Sequence, residues 1–203
     1  MHETMSRNPD RLVLFTDAVA AIAITLLVLP LVELANEPLK HPVEVLTHHR
    51  DQIGSFVLSF VVIARLWLTH HRMFAHVKRY SNSLVLWNIG WLFTTVLLPF
   101  PTELVGRYGG EHFTVAFYMG TVLASSICLS ALTLLIHRDP DIQDPENPLD
   151  DQYLASGVAT TVLIVVALVL ALAVPGVNYF SLLLLLLTPV VVRVWNRRRR
   201  VTS

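Results

Sequence analysis

The chain has 203 residues, of which 54% are hydrophobic and 15% are charged, and its mean hydropathy is +0.57. Soluble domains carry about 25% charged residues, so this composition excludes an ordinary soluble fold. The formal net charge is zero, and the single cysteine, Cys128, excludes an intrachain disulfide.

Six apolar segments follow one another along the chain. Backbone polar groups in lipid must be paired within a helix or a closed barrel, and no alternating pattern of strand length suggests a barrel. No linker is long enough to separate domains. We therefore predict an all-α integral membrane protein, with residues 1–203 forming a single domain of six transmembrane helices in one bundle. The six segments span residues 12–32, 53–69, 84–105, 113–136, 153–174 and 178–195.

The first segment, Leu12 to Val32, is long enough to cross a hydrocarbon core of about 30 Å at about 1.5 Å per residue. No small-residue cleavage site follows it, so we expect a retained helix rather than a signal peptide. It contains Asp17, and a carboxylate at mid-membrane costs about 2.5–3.5 kcal/mol on insertion scales. Such a residue marks the first helix as the functional element.

Helical periodicity divides the first segment into two chemically different faces. At roughly 100° per residue, Ile22, Leu26 and Leu29 fall on one side and Asp17 lies almost opposite. The Asp17 side carries small residues, which let neighbouring helices approach closely. We therefore expect Asp17 in a packed polar contact between helices, and the apolar stripe facing lipid, a neighbouring helix or a pore. The residues near Asp17 on the wheel are Thr16, Ala20, Ala21 and Ala23.

Two further residues modify the apolar stripe. Pro30 has no amide hydrogen to donate to the carbonyl of Leu26, which predicts a bend within the stripe. The hydroxyl of Thr25 can bond to its own helix or reach a permeating ion, and the sequence leaves both open. An uncharged apolar ring bounded by polar residues is one way in which a pore gates or constricts by dewetting.

Polar partners for Asp17 are available on the next two segments. The histidines can be cationic or neutral partners, and the sequence does not distinguish these states. The candidates are Arg65, His70 and His71 on the second segment, and Asn88 and Trp91 on the third.

Other motifs favour simpler interpretations. Adjacent helical residues point about 100° apart, so His70 and His71 do not make a structural metal site. No nucleophile and base form a catalytic motif, and nothing implies a cofactor. Arg197–Arg200 follow the last helix directly, which favours contact with membrane lipid over nucleic acid. The proline-rich segment 139–151 is predicted to be a solvated connector.

The distribution of Lys and Arg predicts the orientation. Eleven lie on the side of the two termini and three on the other side. The positive-inside rule then places both termini in the cytoplasm, with the protein a multi-pass component of the cell membrane.

The residues from about 11 to 105 closely resemble the TMEM175 family of lysosomal potassium channels, and especially its single-repeat prokaryotic members. The resemblance is densest in the first helix and continues in the second and third segments. The matching runs are Arg11-x-x-x-Phe15-Thr16-Asp17, Ala21-Ile22-x-x-Thr25-Leu26-Leu27-x-Leu29, Ser55-Phe56, Trp67-x-x-His70-His71-x-x-Phe74, Trp87-Asn88 and Leu98-Pro99-Phe100-Pro101-Thr102.

The resemblance implies a channel permeable to K⁺ and other monovalent cations, assembled as a homotetramer whose first helices line the pore. It places the hydrophobic constriction at Ile22, Leu26 and Leu29, and the threonine near the filter at Thr25. No TVGYG-like segment occurs in the chain. Where the family usually has serine before the aspartate, this chain has Thr16, whose added methyl must fit a close helix contact.

The resemblance also implies an interhelical network around the first-helix signature. We expect this network to include Arg11, Phe15, Thr16, Asp17, His70, His71, Asn88 and Trp91.

Two alternatives remain beside the passive potassium channel. A proton-coupled secondary transporter would use Asp17 and His70 or His71 as a proton relay. A structural membrane scaffold would show neither conduction nor coupled transport.

Overall fold

The computed structural model describes residues 9–34, 42–109 and 111–173. All regular elements in these ranges are helices, so the predicted all-α class is confirmed. The sixth predicted segment, 178–195, lies outside the described residues. The helices are α1 (Pro9–Leu26), α2 (Leu29–Leu34), α3 (Pro42–His48), α4 (Arg50–Phe74), α5 (Asn82–Leu97), α6 (Pro99–Tyr108), α7 (His112–Arg138) and α8 (Asp151–Ala173).

Five helical spans in the described residues are long and apolar enough to cross a membrane. They correspond to the first five predicted segments, with α1 and α2 forming one span and α5 and α6 another. The second span is longer than the predicted 53–69, because α4 runs from Arg50 to Phe74. The chain is therefore a multi-pass membrane protein.

The first span is interrupted at Leu27 and Val28, as Pro30 predicts. The amide of Val28 donates to the carbonyl of Thr25 at 3.2 Å, a tighter pattern than an α-helix makes, and the helix resumes at Leu29. A small cavity of about 10 Å³ borders this interruption and is lined in part by Leu27, Pro30, Ser55 and Thr102.

Helix α7 lies at the centre of the bundle, packed against both α5 and α8. Helix α1 packs on α4 and α5, and α6 packs on α4 and α7. The largest fully buried side chains include Trp91 on α5, Tyr118 on α7 and Ile63 on α4. Apolar burial therefore holds α4, α5 and α7 together as the support against which α1 lies.

Most side chains of the segment between α7 and α8 are exposed, as expected of a solvated connector, but the segment is also packed on the bundle, which the prediction did not include. Ile142 and Leu149 are buried, and residue 143 forms an antiparallel bridge with Val77. The amide of Lys78 donates to the carbonyl of Ile142 at 2.9 Å. The amide of Asp144 donates to the carbonyl of His76 at 2.9 Å. Two apolar anchors within a polar, proline-rich segment are sufficient to dock it on the turn that follows α4.

Helices α4 and α6 approach closely at Gly106, which gives a test of this packing. A Cβ at Gly106 would lie 2.8 Å from Ser55 Oγ and 3.2 Å from Gln52 Cα. Because a backbone atom must move to accept it, we expect Gly106→Ala to destabilise the protein by about 1–3 kcal/mol. Thermal unfolding in detergent measures this effect.

Gly120→Ala on α7 is the matched control for that substitution. A Cβ there meets nothing within 4 Å, and alanine is the better helix former. Equal stability of the Gly106 and Gly120 variants would show that α4 and α6 do not meet as described.

Candidate functional site

Helix α1 presents one buried face and one exposed apolar face. The buried face carries Thr16, Ala20 and Ala23, which recur every three or four residues, and α1 packs on α4 and α5. Ala21 does not belong to this face: it is exposed, although the wheel placed it near Asp17.

The opposite face of the first span is uncharged over its central part. Ile22 is 59% exposed, Leu26 38% and Leu29 53%. Phe15 is also exposed on this side. We call Ile22, Leu26 and Leu29 the apolar stripe. The structure thus places the stripe away from the packed face, as the periodicity predicts.

Thr25 flanks the apolar stripe and bonds to its own helix. Its Oγ1 donates to the carbonyl of Ile22 at 2.8 Å, and its side chain is exposed. Of the two roles that the sequence left open, the structure contains the intrahelical bond. The hydroxyl oxygen still has acceptor capacity toward an ion or water.

Asp17 turns toward α4 and is held there by two contacts. Trp67 Nε1 donates to Asp17 Oδ1 at 2.8 Å, and His71 Nδ1 lies 3.3 Å from Asp17 Oδ2. The two partners are one helical turn apart on α4, which brings both to the same carboxylate. The Asp17 side chain is 25% exposed and that of His71 52%. The carboxylate therefore anchors α1 to α4.

A second, fully buried contact joins α1 to α5. The amide of Asn88 donates from Nδ2 to Thr16 Oγ1 at 2.9 Å, and His70 Nε2 donates to Asn88 Oδ1 at 2.7 Å. Thr16 Oγ1 also donates to the carbonyl of Leu12 at 2.8 Å. All three side chains of this contact have no exposed area. Thr16 therefore uses both hydrogen-bonding functions of its hydroxyl, and its extra methyl fits within the helix contact.

His70 is held in place by aromatic rings as well. Its ring stacks on Trp91 with a centroid distance of 4.3 Å, and on Phe74 at 4.3 Å. The indole Nε1 of Trp91 is buried with no hydrogen-bond partner among the described residues. Trp91 thus contributes a stacking surface rather than a polar contact.

The predicted network therefore divides into two parts. His71 joins Asp17, whereas His70 joins Asn88 and Thr16. Arg65 makes neither an ion pair nor a hydrogen bond with Asp17 among the described residues. Arg11 is exposed at the start of α1. The sequence reasoning did not identify Trp67 as a partner, although its spacing from His71 signals a shared helix face.

Within the described ranges, no group of three or more His, Cys, Asp or Glu side chains is placed to hold a metal ion. What the geometry offers is an anchored helix with an uncharged outer surface.

Asn88 makes two interhelical hydrogen bonds, so its removal tests the buried contact. Interhelical hydrogen bonds in membrane proteins are worth about 0.6–1.7 kcal/mol each. We therefore expect Asn88→Ala to lower stability by about 1–3 kcal/mol, measured by thermal unfolding in detergent. Asn82→Ala, at an exposed position on the same helix, is the control. An Asn88 variant as stable as the Asn82 variant would contradict the contact.

Comparison with known proteins shows that part of the chain is similar to one channel family. Residues 11–99 match the family described as endosomal/lysosomal potassium channel TMEM175. A potassium channel of Streptomyces collinus is 33% identical over 138 residues, which cover 64% of this chain and 66% of the relative. A potassium channel of Chamaesiphon minutus is 32% identical over 128 residues, covering 60% and 63%.

A vertebrate relative is more distant. The endosomal/lysosomal proton channel TMEM175 of Danio rerio is 20% identical over 132 residues, covering 64% of this chain and 25% of the relative. The matched part thus spans just under two thirds of the length of the bacterial relatives. It spans about a quarter of this vertebrate relative.

Proposed function

We propose that this chain, which belongs to the TMEM175 family, forms a channel that conducts K⁺ and other monovalent cations down their gradient. The bacterial relatives are named potassium channels and the vertebrate relative a proton channel. Both names describe channels, which favours passive conduction over the proton-coupled transporter. The chain acts without catalysis.

The observation that carries the proposal is the exposed apolar stripe on an anchored first helix. Ile22, Leu26 and Leu29 point away from the bundle while Thr16 and Asp17 hold the opposite face. In a pore, such a stripe makes a narrow hydrophobic ring, which opposes hydration of a passing ion and so constricts or gates. Thr25 beside the ring supplies an oxygen where ions pass.

The pore requires several copies of the chain. One helix per chain lines it, so the stripes of neighbouring copies face one another around a central axis. We propose a homotetramer, as the resemblance implies. A symmetric closed ring is the usual form of such assemblies.

The channel is proposed to lie in the cell membrane with both termini in the cytoplasm. The excess of Lys and Arg on the side of the termini supports this orientation. The polar contacts of Thr16 and Asp17 then lie in the cytoplasmic half of the membrane, and the stripe extends from there toward the outside.

Bilayer recording of the purified protein tests the proposal. Under asymmetric K⁺ and Na⁺ we expect single-channel steps and a reversal potential displaced toward that of K⁺. Saturable flux that is coupled to protons, without unitary steps, would favour the transporter instead. The absence of both single-channel steps and proton-coupled flux would favour a structural scaffold. A reversal potential that follows a pH gradient alone would assign proton rather than potassium conduction.

A further inference from the structure

The packed segment between α7 and α8 connects to the contacts that anchor α1. We call residues 139–150 the strap. Gln143 lies at its centre and makes three hydrogen bonds. Its Nε2 donates to the carbonyls of Ile136 at 2.9 Å and His137 at 3.0 Å, and its Oε1 accepts from the amide of Leu149 at 3.2 Å. One side chain thus joins the end of α7 to both halves of the strap.

The strap also forms hydrogen bonds with the residues that directly follow α4. The Nδ1 of His76, a buried residue, donates to the carbonyl of Asn147 at 2.9 Å, and Asn147 Nδ2 donates to the carbonyl of Ala75 at 3.3 Å. The ring of His76 also meets Tyr153 of α8 edge to face at 5.0 Å. Together with the bridge between Val77 and Gln143, these contacts fix the turn after α4 on two sides.

A short series of contacts leads from this turn to α1. The amide of Val77 donates to the carbonyl of Phe74 at 3.1 Å, and the ring of Phe74 stacks on His70. His70 holds Asn88, which holds Thr16 on α1. Every residue in this series is buried. A change in the position of residues 74–77 therefore displaces the groups on which α1 rests.

We propose that the strap is a regulatory contact that keeps α1 in its conducting orientation, with Gln143 as the positioning residue. The proposal rests on the proposed channel function. It implies that anything that loosens or displaces the strap acts on conduction through the end of α4.

A reversible cross-link tests the proposal. Val77 and Gln143 lie between the bonds of Lys78 and Asp144 as a non-hydrogen-bonded antiparallel pair, whose Cα atoms lie about 4.5 Å apart. Disulfides span about 4.4–6.8 Å. The double variant Val77→Cys/Gln143→Cys is therefore suited to form a disulfide, and the native Cys128 is buried. In the oxidised state the cross-link ties the strap covalently to the turn after α4. In the reduced state the strap lacks both this link and the hydrogen bonds of the Gln143 side chain.

We expect the oxidised double variant to carry potassium flux within twofold of the unmodified protein. Reduction should lower the flux at least threefold, and reoxidation should restore it. The single variant Val77→Cys should show no response to the redox state. Equal or higher flux after reduction, with disulfide formation verified by thiol labelling, would overturn the proposal.

Hydrogen exchange separates this proposal from the channel function. We expect amides 70–77 and 12–17 to exchange faster in the reduced than in the oxidised variant, whether or not the protein conducts. If exchange responds while the unmodified protein passes no ions, the channel function fails and the strap's hold on α1 stands. If neither segment responds, the strap does not hold α1.

If the double cysteine variant does not assemble, a second pair of variants tests the same proposal. Gln143→Ala should reproduce the low flux of the reduced state. Asp141→Ala, an exposed position on the same strap, should conduct like the unmodified protein. Equal flux of these two variants would also overturn the proposal.

Discussion

Ile22→Ala and Leu26→Ala are each expected to raise potassium flux about fivefold and to weaken the preference for K⁺ over Na⁺. Each change removes apolar surface from the proposed constriction, which makes it wider and lets a passing ion keep more of its hydration water. Lowering the barrier by about 1 kcal/mol multiplies a rate about fivefold. Stopped-flow flux in proteoliposomes and reversal potentials in bilayers measure the two effects.

Ile89→Ala is the matched control for the constriction variants. Ile89 lies on α5 and is 54% exposed, close to the 59% of Ile22, but on a helix outside the proposed pore. The control should conduct like the unmodified protein. Unchanged flux and selectivity in both constriction variants would remove the apolar stripe from the pore.

Asp17→Ala is expected to lower stability by about 1–3 kcal/mol and to reduce assembly, with little change in ion selectivity. The substitution leaves Trp67 Nε1 without its acceptor and removes the partner of His71. A hydrogen bond to a charged group is worth about 1.5–3 kcal/mol. The contact with His71, which is about half exposed, adds less because water screens it. Size-exclusion chromatography after graded heating measures both quantities.

Two comparisons sharpen the Asp17 prediction. Asp17→Asn retains one acceptor for Trp67 and should be milder than Asp17→Ala. Glu33→Ala removes an exposed carboxylate from α2 and should leave stability unchanged. An Asp17 variant that assembles normally but shows sharply altered selectivity would mean that ions meet the carboxylate, and that α1 is rotated relative to the structure.

The division of α1 into two faces was predictable because one helix has one dominant period. Asp17 among small residues, opposite large apolar ones, defines the packed side. The interruption after Leu26 was likewise predictable, since Pro30 removes a donor by its covalent structure alone. Ala21 shows the limit of such reasoning: it lies at the edge of the packed face, where the position of the neighbouring helix decides its burial.

Partner choice depends on how helices distant in sequence meet, and sequence reasoning was weaker there. Asp17 contacts the indole of Trp67 and the ring of His71, whereas the sequence left several candidates open and did not include Trp67. His70 points instead toward α5, because adjacent residues on α4 diverge. The strap was missed for the same reason: the hydrogen bonds that join it to the turn after α4 connect residues more than sixty positions apart, and its apolar signals in the sequence are Ile142 and Leu149.

The interruption at Leu27 and Val28 distributes the proposed constriction over two rigid pieces. Ile22 and Leu26 belong to α1, which hydrogen bonds at Thr16 and Asp17 tie to the bundle, whereas Leu29 belongs to α2, beyond the break. Beside the break lies the small cavity, so the packing there is less complete. In the proposed pore, a rotation of α2 would widen or narrow the passage at Leu29 while α1 sets the diameter at Ile22. The proposed constriction would then consist of two apertures in series, each adjusted separately.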